Sequence, residues 1–325
     1  MFYLGVDVAK AKLDCMLLDT STKKQKSKVV PNTAAGFKQL LEWLAKNHAP
    51  SPHVIMEPTG VYHEPAALAL TDAGLTLSLV NPAQLRSFAH GLGVKTKTDK
   101  ADSAVLARYG ATQNPAAWQP PSLSARRLKA LLSRRDAVAD DLLRERNRQE
   151  TANATDTPEP VLRSIQESIA FMEAELAKLQ KMISDHIDND PDLREKKDLL
   201  ETIPGVGPRV SDHLTALFAA RTFERAEQLA AYLGLVPVQW ESGSSVKGRP
   251  RMSKAGPAHL RKLLYMPAIV AARHNLHIKA HYERLLEKGK SKMAALGAAM
   301  RKLAHLCFGV VNGGKPYDPN YAAGA

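Results

Sequence analysis

With 325 residues, 44% of them hydrophobic, the chain is long enough for two or three domains with real cores. Lys and Arg number 45 against 33 Asp and Glu, and a net charge of +12 favours a polyanionic partner, nucleic acid or an anionic membrane surface. Charges interrupt the apolar runs, which argues against a spanning helix and a membrane partner, and the start, MFYLGVDVAKAKLD, sets Asp7 inside the only early apolar stretch, which argues against a secretory signal.

Cys15 and Cys307 lie far apart and read as free thiols of a reducing compartment, and no Cys/His spacing matches a zinc site. Composition thus predicts a cytoplasmic protein that binds nucleic acid.

Strands come first. FYLGVDV (2–8), KLDCMLLD (12–19) and KSKVV (26–30) are short and apolar or β-branched, the last ended by Pro31-Asn32. Over 34–47, Phe37, Leu40, Leu41 and Leu44 recur at helical spacing. HVIMEP (53–58) predicts a fourth strand, 62–73 a helix and LTLSLV (75–80) a fifth strand. Three early strands followed by alternating helices and strands is the order of a ribonuclease H-like domain, an order other mixed α/β folds share.

Helices dominate the rest. Residues 98–112 predict one with Thr98 as N-cap and Asp99 in the first turn. After the Pro-rich link 114–121, residues 122–150 predict a long helix. Leu128, Leu131, Leu132, Val138 and Leu142 are its apolar positions, set among Arg126, Arg127, Lys129, Arg134, Arg135, Arg144, Arg146 and Arg148. Past the TPEP break (157–160), Leu162, Ile165, Ile169, Met172, Leu176, Leu179 and Ile183 recur at steps of three and four. That pattern suits a coiled coil joining subunits and equally an amphipathic helix of a bundle. From about 192 a helical domain follows, with helices near 226–233, 256–274 and 291–309, a basic Gly-rich loop over 239–256 and a loosely ordered tail. The expected division is 1–155, an α/β domain with the basic helix; 156–190, the coiled coil; and 191–325, a mainly α domain.

Asp7 sits within a predicted core strand, where an unpaired carboxylate is costly and a metal ion would relieve it. Glu57 ends another strand, and Asp99 and Asp102 are three apart on one helix face. Four such carboxylates suit two Mg²⁺ or Mn²⁺ ions roughly 4 Å apart, polarising a phosphate for in-line attack. Each taken singly also suits a loop cap or a helix N-terminal acid.

IPGVGPRV (203–210) has the Pro-Gly-x-Gly of a helix-hairpin-helix, in which Gly205 and Gly207 would let backbone amides approach a DNA phosphate. A tight turn without a ligand fits the same residues. In ESGSSVKGRPRMSKAG (241–256), Lys247, Arg249, Arg251 and Lys254 read as a loop gripping phosphates; Ser242 alone is a poor nucleophile. Arg126, Arg127, Arg134 and Arg135 read as backbone contacts to DNA or RNA, or as a solvated face paired with Asp136, Asp140, Asp141 and Glu145.

GVDVAK (5–10), MEPTG (56–60), KTDKADSAVLA (97–107), IPGVG (203–207) and ESGSSVKGRPRMSKAG (241–256), in this order, resemble the DEDD transposases of insertion-sequence family one-ten. The resemblance spans nearly the whole chain. It implies a RuvC-like ribonuclease H domain, a coiled coil and a helical transposase domain. It maps the four metal-binding acids to Asp7, Glu57, Asp99 and Asp102, and the serine nucleophile to Ser242. It further implies a bridge RNA pairing with donor and target DNA, a covalent phosphoserine, a Holliday-junction intermediate, and a homo-oligomer, dimer or tetramer, with nucleoid association in a prokaryotic cytoplasm. Pro58 departs from the Ala that many members have after the Glu. The rival expectations are a metal-dependent Holliday-junction nuclease using water alone, and a non-catalytic nucleic-acid-binding regulator.

Overall fold

The computed structural model describes residues 1–94, 98–239, 241–242, 246–248 and 250–321; for 241, 242, 246 and 247 it describes the backbone alone. The chain forms two compact units, Met1–Pro120 and Pro121–Ala325.

The first unit is built on five strands: β1 (Phe2–Val8), β2 (Lys12–Asp19), β3 (Gln25–Pro31), β4 (His53–Met56) and β5 (Leu77–Leu79). Their order is β3-β2-β1-β4-β5. β1, β2 and β3 form an antiparallel meander, and β4 and β5 run parallel to β1. The helices are α1 (Ala34–Lys46), α2 (His63–Asp72), α3 (Pro82–Gly91) and α4 (Asp99–Gln113). Side chains alternate across the strands. Leu4, Val6, Leu13, Cys15, Val54 and Met56 pack with Phe37, Leu40 and Leu44 of α1 and Ala66 and Leu70 of α2. On the opposite face, Met16, Leu18 and Ile55 meet Val105, Leu106 and Ala107 of α4. α3 lies outside the sequence expectations, although Asn81 caps it and Pro82 opens it.

The α4 layer depends on two glycines. A Cβ on Gly5 would lie 2.0 Å from the Ser103 carbonyl oxygen, and one on Gly110 would lie 2.4 Å from the Ile55 side chain. Only hydrogen fits at either place, so α4 lies directly on β1.

The second unit opens with α5 (Leu123–Asn153) and α6 (Glu159–Asp188). They form an antiparallel hairpin: Ser124 bonds Asp190 just past the end of α6, and Arg146 pairs with Glu173 at 2.7 Å. Leu128 and Leu132 bury against Ile183, Ile187, Leu193 and Ala216, which is why the basic helix groups with this unit and not with residues 1–120. Of the seven heptad positions, Ile169, Leu179 and Ile183 are buried within the chain.

Next come α7 (Pro191–Glu201), α8 (Pro208–Ala220) and α9 (Ala226–Tyr232). Within the basic loop two nested strand pairs are described: β6 (Pro237–Val238) pairs with β9 (Arg251–Met252), and β7 (Glu241–Ser242) with β8 (Val246–Lys247). The helix expected over 256–274 is two, α10 (Ala258–Leu263) and α11 (Tyr265–His274). Pro267 has no N–H for the Leu263 carbonyl, and its ring would clash there, so the helix restarts. α12 (Leu276–Glu287), capped by Asn275, was not expected; α13 (Lys292–Gly313) was.

Contrary to the reading of apolar runs, α13 is long and apolar enough to cross a membrane by length and composition. Its Leu296, Ala299, Met300, Leu303, Ala304 and Cys307 lie in the core of this unit. The tail expectation falls partly on residues 322–325, which lie outside the described residues; up to Tyr321 the tail is tied to the unit. Tyr317 donates its N–H to Thr202 at 2.9 Å and its hydroxyl to Asn275 at 3.1 Å. Both cysteines are buried free thiols; burial raises both, Cys307 to about 12.

Candidate active site

β1 carries Asp7 near its C-terminal end, on the α4 face with Gly5. Val6 pairs with Met56 on the parallel β4, so Asp7 and Glu57, the residue after β4, leave the sheet side by side. On the other flank Asp7 is opposite Asp14 in the antiparallel register. α4 starts at Asp99, capped by the Thr98 hydroxyl, and carries Asp102 in its first turn. Its seat on Gly5 brings that turn to the C-terminal end of β1.

The electrostatics report this crowding. Burial, and then the charges of Asp102, Asp99, Asp14 and Glu57, push Asp7 up to about 6. Sequence reasoning missed two members. Lys12 and Asp14 share the α4 face of β2, and Lys12 Nζ lies 2.9 Å from Asp14 and 2.7 Å from Asp99. The Lys12 hydrogen bond, followed by its charge, holds the Asp99 carboxyl below the usual carboxylate range. The alternation in KLDCMLLD contained this signal, since Lys12 and Asp14 are two apart. Asn32 adds a brace: its Nδ2 donates to the carbonyls of Ala9 and Tyr62, both at 3.0 Å, tying the end of β1 to the loop after Glu57.

The donor set suits a hard divalent cation, being carboxylate oxygens whose mutual repulsion such an ion would relieve. Yet among the described residues no group of three His, Cys, Asp or Glu converges closely enough to hold one. Asp7, Glu57, Asp99 and Asp102 therefore share one neighbourhood without forming an assembled metal centre, and Asp99 is engaged by Lys12 instead.

In the second unit, the backbone of Ser242 pairs with Val246 in the inner strand pair. The side chains of Ser242 and Lys247, and the whole of Arg249, lie outside the described residues. Arg251 and Lys254 are exposed, as are Arg127 and Arg134 of α5. Arg126 is half-buried.

Arg135 differs from its neighbours. It is 6% exposed and meets Asp136 at 3.1 Å, Asp212 at 3.3 Å and His213 at 2.8 Å. Its reading as a phosphate contact is corrected on that ground: the guanidinium is already engaged inside the unit. Gly205 is also partly explained by packing. Its φ is +105°, and a Cβ there would lie 2.9 Å from the Ala271 side chain. Gly207 has open space around it and caps α8.

Residues 4–152 match a family model described as a transposase of the DEDD IS110 type, and residues 197–283 one described as "Transposase IS116/IS110/IS902 family". The pilin gene-inverting protein of Moraxella bovis is 33% identical over 321 residues, covering 97% of each chain, and its Moraxella lacunata counterpart matches to the same extent. An uncharacterised protein of insertion element IS110 from Streptomyces coelicolor is 25% identical over 171 residues, 52% of this chain and 41% of that one. The Thermus thermophilus RuvC structure covers 36% of this chain and 99% of its own at 17% identity with a TM-score of 0.27, too loose a likeness to carry any argument. The near-complete span of the Moraxella relatives, joined to the two matched segments, makes this chain a member of the IS110-type family of transposases and recombinases.

Proposed function

We propose that the chain is a recombinase of a mobile insertion sequence that cuts and rejoins DNA with Mg²⁺ or Mn²⁺ held by Asp7, Glu57, Asp99 and Asp102, and with Ser242 as nucleophile. The observation that carries the metal reading is the half-buried Asp7, set beside Glu57 and opposite Asp14 in the sheet and raised by the charges of Asp102, Asp99, Asp14 and Glu57. The strand order β3-β2-β1-β4-β5, with Asp7 near the end of the central strand and Glu57 just past the end of its parallel neighbour, supports a ribonuclease H-like unit.

A bound divalent ion would polarise the phosphate and offset the charge that develops on it. The chain's residues do the rest. The Ser242 oxygen bonds the phosphorus while the bond to one deoxyribose oxygen breaks, and that oxygen takes up a proton. A second strand's hydroxyl then displaces the serine, which regains its proton, so the two strands exchange without net hydrolysis. Arg251 and Lys254, exposed in the same basic loop as the serine, and Arg127 and Arg134 on α5 supply phosphate contacts. Lys247, Arg249, Arg126 and the turn amides at Gly205 and Gly207 complete this set of proposed contacts. A bridge RNA as guide follows from the family resemblance and suits the net charge of +12, while assembly into a dimer or tetramer follows from the resemblance alone, with α6 as the element that would join subunits.

The Moraxella relatives are named for gene inversion, which favours strand exchange over a nuclease that uses water alone. The test is a labelled donor DNA incubated with wild type and with Ser242→Ala, followed by denaturation. A protein–DNA adduct that survives denaturation and vanishes in Ser242→Ala is the expected result. Undiminished cutting by Ser242→Ala would favour the nuclease. RNA co-purifying with the chain, once sequenced, should contain segments matching the element's ends and an insertion site.

A further inference from the structure

We propose that Lys12 is the built-in counter-ion of the acidic centre: it holds Asp99 when no divalent ion is present and must release it for one to bind. This inference rests on the metal reading of that centre.

The two ends of the Lys12 bridge are unequal. The Asp14 side chain is 11% exposed and Asp99 is 55% exposed, while Lys12 itself is 44% exposed. Lys12 and Asp14 are fixed two apart on one strand, and the tight β1–β2 turn, closed by Ala9 N–H donating to the Lys12 carbonyl at 3.0 Å, holds that strand to the end of β1. The Asp99 contact instead spans two elements through an exposed pair, the kind of ion pair that is weak and readily exchanged. Asp14 is thus the anchor and Asp99 the exchangeable partner.

The exchange has a direction. The ammonium hydrogen bond draws on the Asp99 Oδ2 at 2.7 Å and so weakens that carboxylate as a ligand, and the ammonium charge repels a divalent ion nearby. Lys12 therefore competes with the metal. A lysine that merely fastened α4 to β2 would do the opposite, because its loss would loosen Asp99 and weaken metal binding.

The experiment is Mn²⁺ binding to the full chain without DNA, by calorimetry, for wild type, Lys12→Met, Lys12→Arg and Asp7→Asn, with thermal melts to show that each is folded. Lys12→Met is expected to bind Mn²⁺ at least threefold tighter than wild type, and Lys12→Arg, which keeps the charge, within twofold of it. Equal or weaker binding by Lys12→Met overturns the inference while leaving the metal centre standing. If wild type binds no Mn²⁺, or if Asp7→Asn binds it equally well, the metal centre itself fails and the inference with it. Should Lys12→Met fail to fold, Lys12→Gln serves in its place with the same two outcomes.

Discussion

Gly5 of β1 and Ser103 of α4 are in direct backbone contact, and a Cβ on the glycine would lie 2.0 Å from the Ser103 carbonyl oxygen. That contact sets the height of α4 above the sheet, and with it the place of Asp99 and Asp102 relative to Asp7. Gly5→Ala should therefore move α4, destabilise the first unit by roughly 2–3 kcal/mol and abolish recombination. Gly309, on the exposed side of α13 with open space around it, is the contrast. Gly309→Ala should raise stability by roughly 0.5–1 kcal/mol. Chemical denaturation of both variants checks the pair, and a Gly5→Ala variant as stable as wild type contradicts the packing argument.

Asp7→Asn should stabilise the metal-free protein while removing activity. Burial, and then the surrounding carboxylates, push Asp7 up to about 6, above the unfolded value. The folded state therefore holds this proton more tightly than the unfolded state. The favourable contribution is present below about pH 4 and is lost as pH rises through about 6. At pH 7 the ionised Asp7 is a cost, and Asn removes it. Discounted for partial exposure, the gain is roughly 1–2 kcal/mol. Thermal melts at pH 7 in chelator should show Asp7→Asn above wild type, with the gap closing near pH 4. Added Mg²⁺ should raise wild type alone.

The arginines of α5 should divide by burial, which the sequence does not reveal. Asp212 is fully buried between Arg135 and Lys197, at 3.3 and 3.0 Å. Asp212→Ala leaves those cations without it and should cost about 3–5 kcal/mol. Arg134→Ala should leave the melt within about 0.5 kcal/mol. It should also weaken nucleic-acid binding and reduce the slope of log affinity against log salt by about 1. Filter binding across salt concentrations separates the two. If Arg134→Ala leaves binding unchanged, α5 is not a phosphate-contacting face.

Acid should strip this same network. Burial works to raise Asp136, but the His213 hydrogen bond and charge and the Arg135 guanidinium outweigh it and hold the carboxyl well below the usual range. A depressed carboxyl contributes stability that is present above its unfolded value, near 4, and lost as pH falls below that. Asp136→Asn should therefore flatten the acid limb of the stability curve below about pH 4, measured by denaturation at fixed ionic strength. An unchanged acid limb contradicts the assignment.

Legibility followed local pattern. Asp7 stood out because a carboxylate interrupts a buried strand, and the five strands and most helices announced themselves by periodicity. α3 and α12 escaped because each buries a single residue, Leu85 and Ile278, and so shows little apolar periodicity, although Asn81-Pro82 and Asn275 mark their starts. The break at Leu264 was encoded by Pro267, inside an otherwise helical run. Long-range pairing was not legible. Arg134 and Arg135 are identical as letters, and only the approach of α8 makes one of them buried. Likewise nothing local showed that Lys12 would take Asp99, 87 residues away. The role of Ser242 came from the family resemblance alone, and its side chain lies outside the described residues.

Covalent adduct formation on labelled donor DNA, with any RNA that co-purifies with the chain retained, tests the acidic centre and the serine chemistry together when run in Mg²⁺ and in chelator. Wild type should form the adduct in Mg²⁺ and not in chelator, and Asp7→Asn should form it in neither. An adduct formed by Asp7→Asn at the wild-type level, or by wild type in chelator, would contradict the account.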